Sequence, residues 1–217
     1  MSEAFDIVGK RPVTDRPIIF SSPMVQALLA GTKTQTRRLA TSPLRRCEVG
    51  DRLYVREAWR VGRKYDGVKP RDLAPRAMTV LFEAGGSIAN QGAVLKWAPD
   101  EWPPVGALPG FAGTLRPSIH MLRWASRLTL TVEAVRVQRL QAISTDDACA
   151  EGVHETEFYE IAERKVSAGA PFSPERLAYA YLWNALHGAE GKTWEANPEV
   201  VALTFRVERG NIDRSAG

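Results

Sequence analysis

The chain has 217 residues, of which 44% are hydrophobic and 25% charged, and its formal net charge is +4. That length buries one sizeable core, and the lack of a long uncharged apolar run excludes a membrane-spanning helix. With only Cys47, Cys149 and three histidines, a disulfide framework or a cysteine-rich zinc module is excluded too, so neither a metal nor a cofactor is expected.

Residues 1–15 carry no apolar periodicity and no secretion-type apolar core, and read as a mobile tail on a cytoplasmic protein. A single domain is expected over 16–210, with a second short tail at 211–217. The first element is a short helix within Ser21–Ala30: a serine stands at the N-cap, Pro23 lies in the first turn and Gly31 sits just past the end. Behind that stop comes Lys33-Thr34-Gln35-Thr36-Arg37-Arg38, which brings an amine, hydroxyls and two guanidinium groups out of a fixed point. As a strand it places Thr34, Thr36 and Arg38 on one face and Lys33, Gln35 and Arg37 on the other. Such a cluster suits a phosphate or a nucleobase.

Gly50-Asp51 then marks a turn, and Arg52–Trp59 alternates as a strand with Leu53 and Val55 inward and Arg52 and Arg56 outward. Residues 62–76 read as a loop and Ala77–Glu83 as a strand closed by Gly85-Gly86. The stretch 87–117, rich in proline and glycine and without a clear period, reads as an irregular insertion. Arg127–Leu140 alternates strongly, with a phase shift near Ala134-Val135 that signals a bulge. Ser144 and Asp147 form a capping-box pattern for a short helix that carries Glu151 on its last turn and stops at Gly152. A longer helix is expected from Ser173-Pro174 to Gly188, and a last strand over Glu199–Val207.

Charge is uneven. Ten basic residues against three acidic ones lie between Lys33 and Lys64, which fits a polyanionic partner, while a solvated basic surface is the plain alternative. Gly191-Lys192-Thr193 lacks the upstream glycine of a phosphate loop, and no Gly-x-Ser-x-Gly elbow or His-Glu-x-x-His helix occurs. The segment Arg116–Arg127 gathers Ser118, His120, Arg123, Trp124 and Arg127 into one loop, a wall on which a base could stack and hydrogen-bond. His120 is also a candidate acid or base for strand cleavage, and Trp59 and Trp124 are candidate stacking platforms.

Three blocks carry a family resemblance: Gly31-x-Lys33-x-x-x-x-Arg38, Val49–Trp59 and Ile143–Val153. They resemble the ASCH domain, and with Arg116–Arg127 they are most similar to a longer, phage-associated branch of it. The resemblance implies an α+β, mainly β fold: a PUA-like barrel flanked by short helices, with the insertion and the longer C-terminal helix added. It also implies a hydrolase that removes an acyl group from an N4-acylcytidine, with Lys33, Thr36 and Glu151 catalytic. A threonine hydroxyl needs a base beside it, which a lysine of lowered pKa supplies. Arg37, Arg38 and Arg56 join the loop residues as candidate contacts to the nucleoside or to single-stranded RNA. A non-catalytic reader of modified bases and a ribonuclease are the alternatives, and no obligatory protein partner or membrane is expected.

Overall fold

The structure is a computed structural model that describes residues 12–74, 78–91, 94–97 and 102–214. Its first sheet has five strands, β1 (Asp15–Ile19), β2 (Gln35–Leu39), β3 (Arg52–Arg56), β8 (Leu128–Arg139) and β9 (Glu199–Arg209), in the order β1-β3-β8-β9-β2. A second sheet orders β4 (Trp59–Arg60), β5 (Met78–Phe82), β6 (Ser87–Gln91) and β7 (Val94–Trp97) consecutively. The α-helices are α1 (Ser22–Ala30), α2 (Thr145–Ala150), α3 (Glu157–Ser167) and α4 (Pro174–Leu186).

In β3 the expected alternation is realised: Leu53 and Val55 are buried, while Arg52, Tyr54 and Arg56 are half-buried on the other side. The long β8–β9 ladder shifts register between Val132 and Ala134, so the extra residue is Glu133, which is exposed. That is the bulge signalled by the sequence, one residue earlier. Arg52–Trp59 is not one strand, however. After Arg56 the chain leaves the first sheet, and Trp59 starts the second by pairing with Phe82. At that crossing Glu57 is buried and its backbone N–H donates to Met121 Sδ at 3.2 Å.

The expected insertion is also more regular than its composition suggests. Ser87–Gln91 and Val94–Trp97 become strands because β5 and then β6 supply ladder partners, a non-local effect that a Ser-Ile-Ala-Asn-Gln stretch does not announce. The chain returns through bridges of Ala112 to Gly62 and of Arg116 to Trp59, so Trp59 is wholly buried beneath the Arg116 guanidinium and offers no stacking platform. Helix α3 is a further element absent from the sequence expectation. At the ends, Asp15 already belongs to β1, and Asn211 is buried, donating to the carbonyls of Arg123 and Ser126; both tails are shorter than expected. Residues 1–11 and 215–217 lie outside the described residues.

The architecture is therefore mixed α/β rather than a mainly β closed barrel. Strand β1 pairs with β3 in parallel and β2 pairs with β9 antiparallel, and among the described residues no ladder joins β1 to β2. The seam between these two edges is crossed by a side chain instead: Arg38 Nη2 donates to the Ile19 carbonyl at 3.0 Å. No described helix is long and apolar enough to cross a membrane.

The junction of the two sheets is held by a buried ion pair. Arg127 Nε and Nη2 donate to Glu57 Oε1 and Oε2 at 2.8 and 2.9 Å, and the guanidinium lies 4.0 Å from the centroid of the Phe82 ring. Removing the cation strands a carboxylate in apolar surroundings, which costs far more than the pair contributes. Arg127→Met should lower the unfolding free energy by roughly 3–5 kcal/mol in urea titrations, and adding Glu57→Gln should recover part of that loss.

Candidate functional site

Gly31 ends α1 with φ of 78°, a left-handed conformation that a side chain resists, and its N–H closes on the Leu28 carbonyl at 3.2 Å. The next residues are then pinned from two sides. Lys33 N–H donates to the Ala27 carbonyl at 3.1 Å and Thr34 N–H to the Ala150 carbonyl at 2.8 Å, giving an isolated antiparallel bridge between Lys33 and Glu151. Two residues 118 apart in the chain thereby become backbone neighbours.

Their side chains meet as well. Lys33 Nζ, 1% exposed as a residue, donates to the Glu151 carbonyl at 2.7 Å and to Glu151 Oε2 at 3.0 Å. Glu151 Oε1 accepts from Arg37 Nη1 at 2.9 Å, so one buried carboxylate serves two cations. Lys33 and Arg37 belong to the same strand face, as the alternation requires. Arg37 continues to Asp147 Oδ2 at 2.7 Å, and Asp147 also accepts from Gln35 and Arg136, both at 2.9 Å. Asp147 is therefore only half of a capping box. Its N–H takes the Ser144 hydroxyl at 3.0 Å, but its carboxylate turns to β2.

Burial, with smaller pushes from Arg38 and Arg37, pulls the Lys33 amine below its ordinary value of 10.5 although Glu151 opposes this. Burial alone would raise Glu151, but the charges and hydrogen bonds of Lys33 and Arg37 outweigh it and hold the carboxyl below 4.5. The ionised carboxylate favours the charged form of the amine, so the lowering of Lys33 comes from burial and from the two arginines.

On the other face of β2, the Thr36 hydroxyl oxygen accepts from Arg38 Nη1 at 2.7 Å. Lys33, Thr36, Arg37, Arg38 and Glu151 all line one cavity of about 450 Å³, at the open seam between β1 and β2. Residues of both faces reach it because β2 is an edge strand there. Its further walls are Ile19, Phe20 and Met24 from the β1–α1 corner, Ser118, and Tyr179, Leu182, Trp183 and Leu186 of α4 with His187 behind it. Lys33 Nζ lies 5.4 Å and the Arg38 guanidinium 5.2 Å from the centroid of the Phe20 ring, while His187 stacks on Trp183 at 4.0 Å. Burial lowers His187 below 6.5, so it presents a neutral ring.

Six sequence-predicted residues are thus brought together: Lys33, Thr36, Glu151, Arg37, Arg38 and Ser118. Five are not. Arg127 is locked to Glu57. Arg123 reaches Asp15 and Asp213, pinning β1 and the C-terminal turn. Trp124 packs on the core of the second sheet, and Arg56 stays on β3 outside the cavity lining. His120 is exposed away from the cavity, so no geometry supports its role in strand cleavage. Asp147, Phe20, Tyr179, Trp183 and His187 were missed; the spacing of the last three, four residues apart along one helix face, was the available signal.

The chain matches no family model, and neither the curated proteins nor the solved structures contain a match.

At Gly152, φ is 78° and an added Cβ would meet the Cβ atoms of Ala27 at 2.9 Å and Lys33 at 3.2 Å. Gly152→Ala should therefore cost roughly 1–3 kcal/mol in denaturant unfolding and broaden the NMR signals of Lys33. Because the folded pKa of Glu151 is depressed, its stabilisation is present above 4.5 and lost as pH falls through the folded value. Glu151→Gln should be less stable than the parent at neutral pH but lose less on acidification below that pH, as read by circular dichroism.

Proposed function

We propose that the cavity binds a modified pyrimidine nucleoside and hydrolyses its exocyclic N-acyl group, in line with the ASCH resemblance of Gly31-x-Lys33-x-x-x-x-Arg38. The open five-strand sheet, its two edges bridged by Arg38, is read on this view as a variant of a PUA-like barrel. The single observation that carries the proposal is the convergence of Lys33, Thr36, Arg38 and Glu151 on one cavity, although Glu151 is more than a hundred residues from the others. A volume of about 450 Å³ in which apolar side chains surround a convergent cluster of charged and polar groups suits a small-molecule site.

In the proposed reaction Thr36 Oγ1 attacks the acyl carbonyl as its proton passes to Lys33 in its unprotonated form, which burial favours. Arg38, already donating to Thr36 Oγ1, stabilises negative charge on that oxygen and on the tetrahedral oxyanion. Lys33 then returns the proton to the departing exocyclic nitrogen, and water hydrolyses the threonyl ester. Glu151 orients the amine through Oε2 and is kept in place by Arg37. Phe20 or the Trp183–His187 stack offers the base an aromatic face.

A second reading, a non-catalytic reader of modified bases, is favoured by one observation: Thr36 is 0% exposed, which suits a structural hydroxyl. The assay that separates the two is release of cytidine from N4-acetylcytidine, followed chromatographically. Turnover is expected, with kcat/KM lowered about 10²–10⁴-fold in Lys33→Ala and Thr36→Ala. No cytidine, or variants equal to the parent, overturns the hydrolase; nucleoside binding by calorimetry without turnover identifies the reader.

A further inference from the structure

Cys149 Sγ, a His154 ring nitrogen and a Glu175 carboxylate oxygen lie within 4.8 Å of one another, contributed by α2, by the turn that follows it and by the first turn of α4. We propose that these three side chains form a zinc-class metal site, separate from the cavity. Thiolate, imidazole and carboxylate are the donors Zn²⁺ takes, at about 2.0–2.3 Å, which sets neighbouring donor atoms about 3.5 Å apart. Binding an ion therefore requires the donors to draw closer than the 4.8 Å within which they now lie. Three protein ligands leave the fourth tetrahedral position to water.

The surroundings are those of a ligand set. Tyr159 packs its ring against His154 at 4.4 Å between centroids and donates its hydroxyl to Glu175 Oε1 at 3.4 Å, so one residue of α3 orients two of the three donors. Outer contacts of this kind fix ligands and tune their basicity. On binding, the thiol proton leaves to solvent as the metal–sulfur bond forms.

Its position gives the site a consequence. Cys149 lies between Asp147 and Glu151, and Glu175 precedes Tyr179 on α4, so an ion there ties the helix that ends at Glu151 to the helix that carries Tyr179, and both Glu151 and Tyr179 line the cavity. The sequence spacing, five residues and then twenty-one, is too loose for a recognisable zinc motif, which is why no metal was expected.

The test uses the whole chain, first stripped with a chelator and then titrated with Co²⁺ and Zn²⁺. A thiolate-to-cobalt charge-transfer band should appear, saturate at a single ion and be displaced by Zn²⁺, and Zn²⁺ should raise the thermal midpoint. Cys149→Ser should abolish the band, and His154→Gln, at an exposed position, should weaken Zn²⁺ by more than about tenfold while leaving the metal-free thermal midpoint near that of the parent. Absence of the band, or Zn²⁺ affinity undiminished in both variants, overturns the site. Neither readout depends on nucleoside turnover, so it stands or falls apart from the hydrolase reading.

Discussion

One carboxylate shared by two cations, out of contact with water, is the interaction on which the rest of the site depends. Glu151 accepts from Lys33 on one oxygen and from Arg37 on the other. Taking three charged groups out of solvent is unfavourable unless every donor and acceptor finds a partner. Here an extended network meets most of that requirement: Asp147 takes the second Arg37 nitrogen, Gln35 and Arg136 complete Asp147, and Arg37 Nε alone of that guanidinium is buried without a partner. The cost of breaking any link is what holds the end of α2 against β2, and with it the geometry of the cavity wall.

That wall exists because the first sheet is not closed. An edge strand presents backbone groups and both sets of side chains to whatever lies beside it. At this edge the gap to β1 is spanned by Arg38 instead of by a ladder, and α4 covers the opening with Tyr179 and Trp183. The result is a half-open cavity whose lining brings together an ionised carboxylate, an amine of lowered basicity and a hydroxyl held by a guanidinium. A cavity assembled at a sheet seam needs no insertion to create it, and the 87–117 segment instead adds β6 and β7 to the second sheet and, among the described residues, contributes no cavity-lining residue.

Helix α2 has two chemically distinct sides. Asp147 and Glu151 turn toward β2, while Cys149 turns toward His154 and Glu175. With only six residues, it has too few hydrogen bonds to be stable alone and takes its position from what its side chains engage. The proposed metal site would act on that positioning from the side opposite the carboxylate network.

Local rules alone determined the helix stop at Gly31, the alternation that sets Lys33, Gln35 and Arg37 on one face, the inward pair Leu53 and Val55, and the bulge in β8. Each is a property of a few neighbouring residues, so it is written in their order along the chain. The ASCH resemblance, and no local rule, implied that Lys33, Thr36 and Glu151 belong together, with Arg38 as a ligand contact. Which arginines face a ligand was decided only by tertiary structure. Arg37 and Arg127 are both buried arginines paired with glutamates, yet one borders the cavity and the other locks two sheets together, because their partners come from different parts of the chain. The aromatic wall of α4, the recruitment of Ser87–Gln91 and Val94–Trp97 into strands and the cysteine–histidine–glutamate cluster share that origin. Burial and long-range pairing give side chains their chemistry, and neither is a function of nearby sequence.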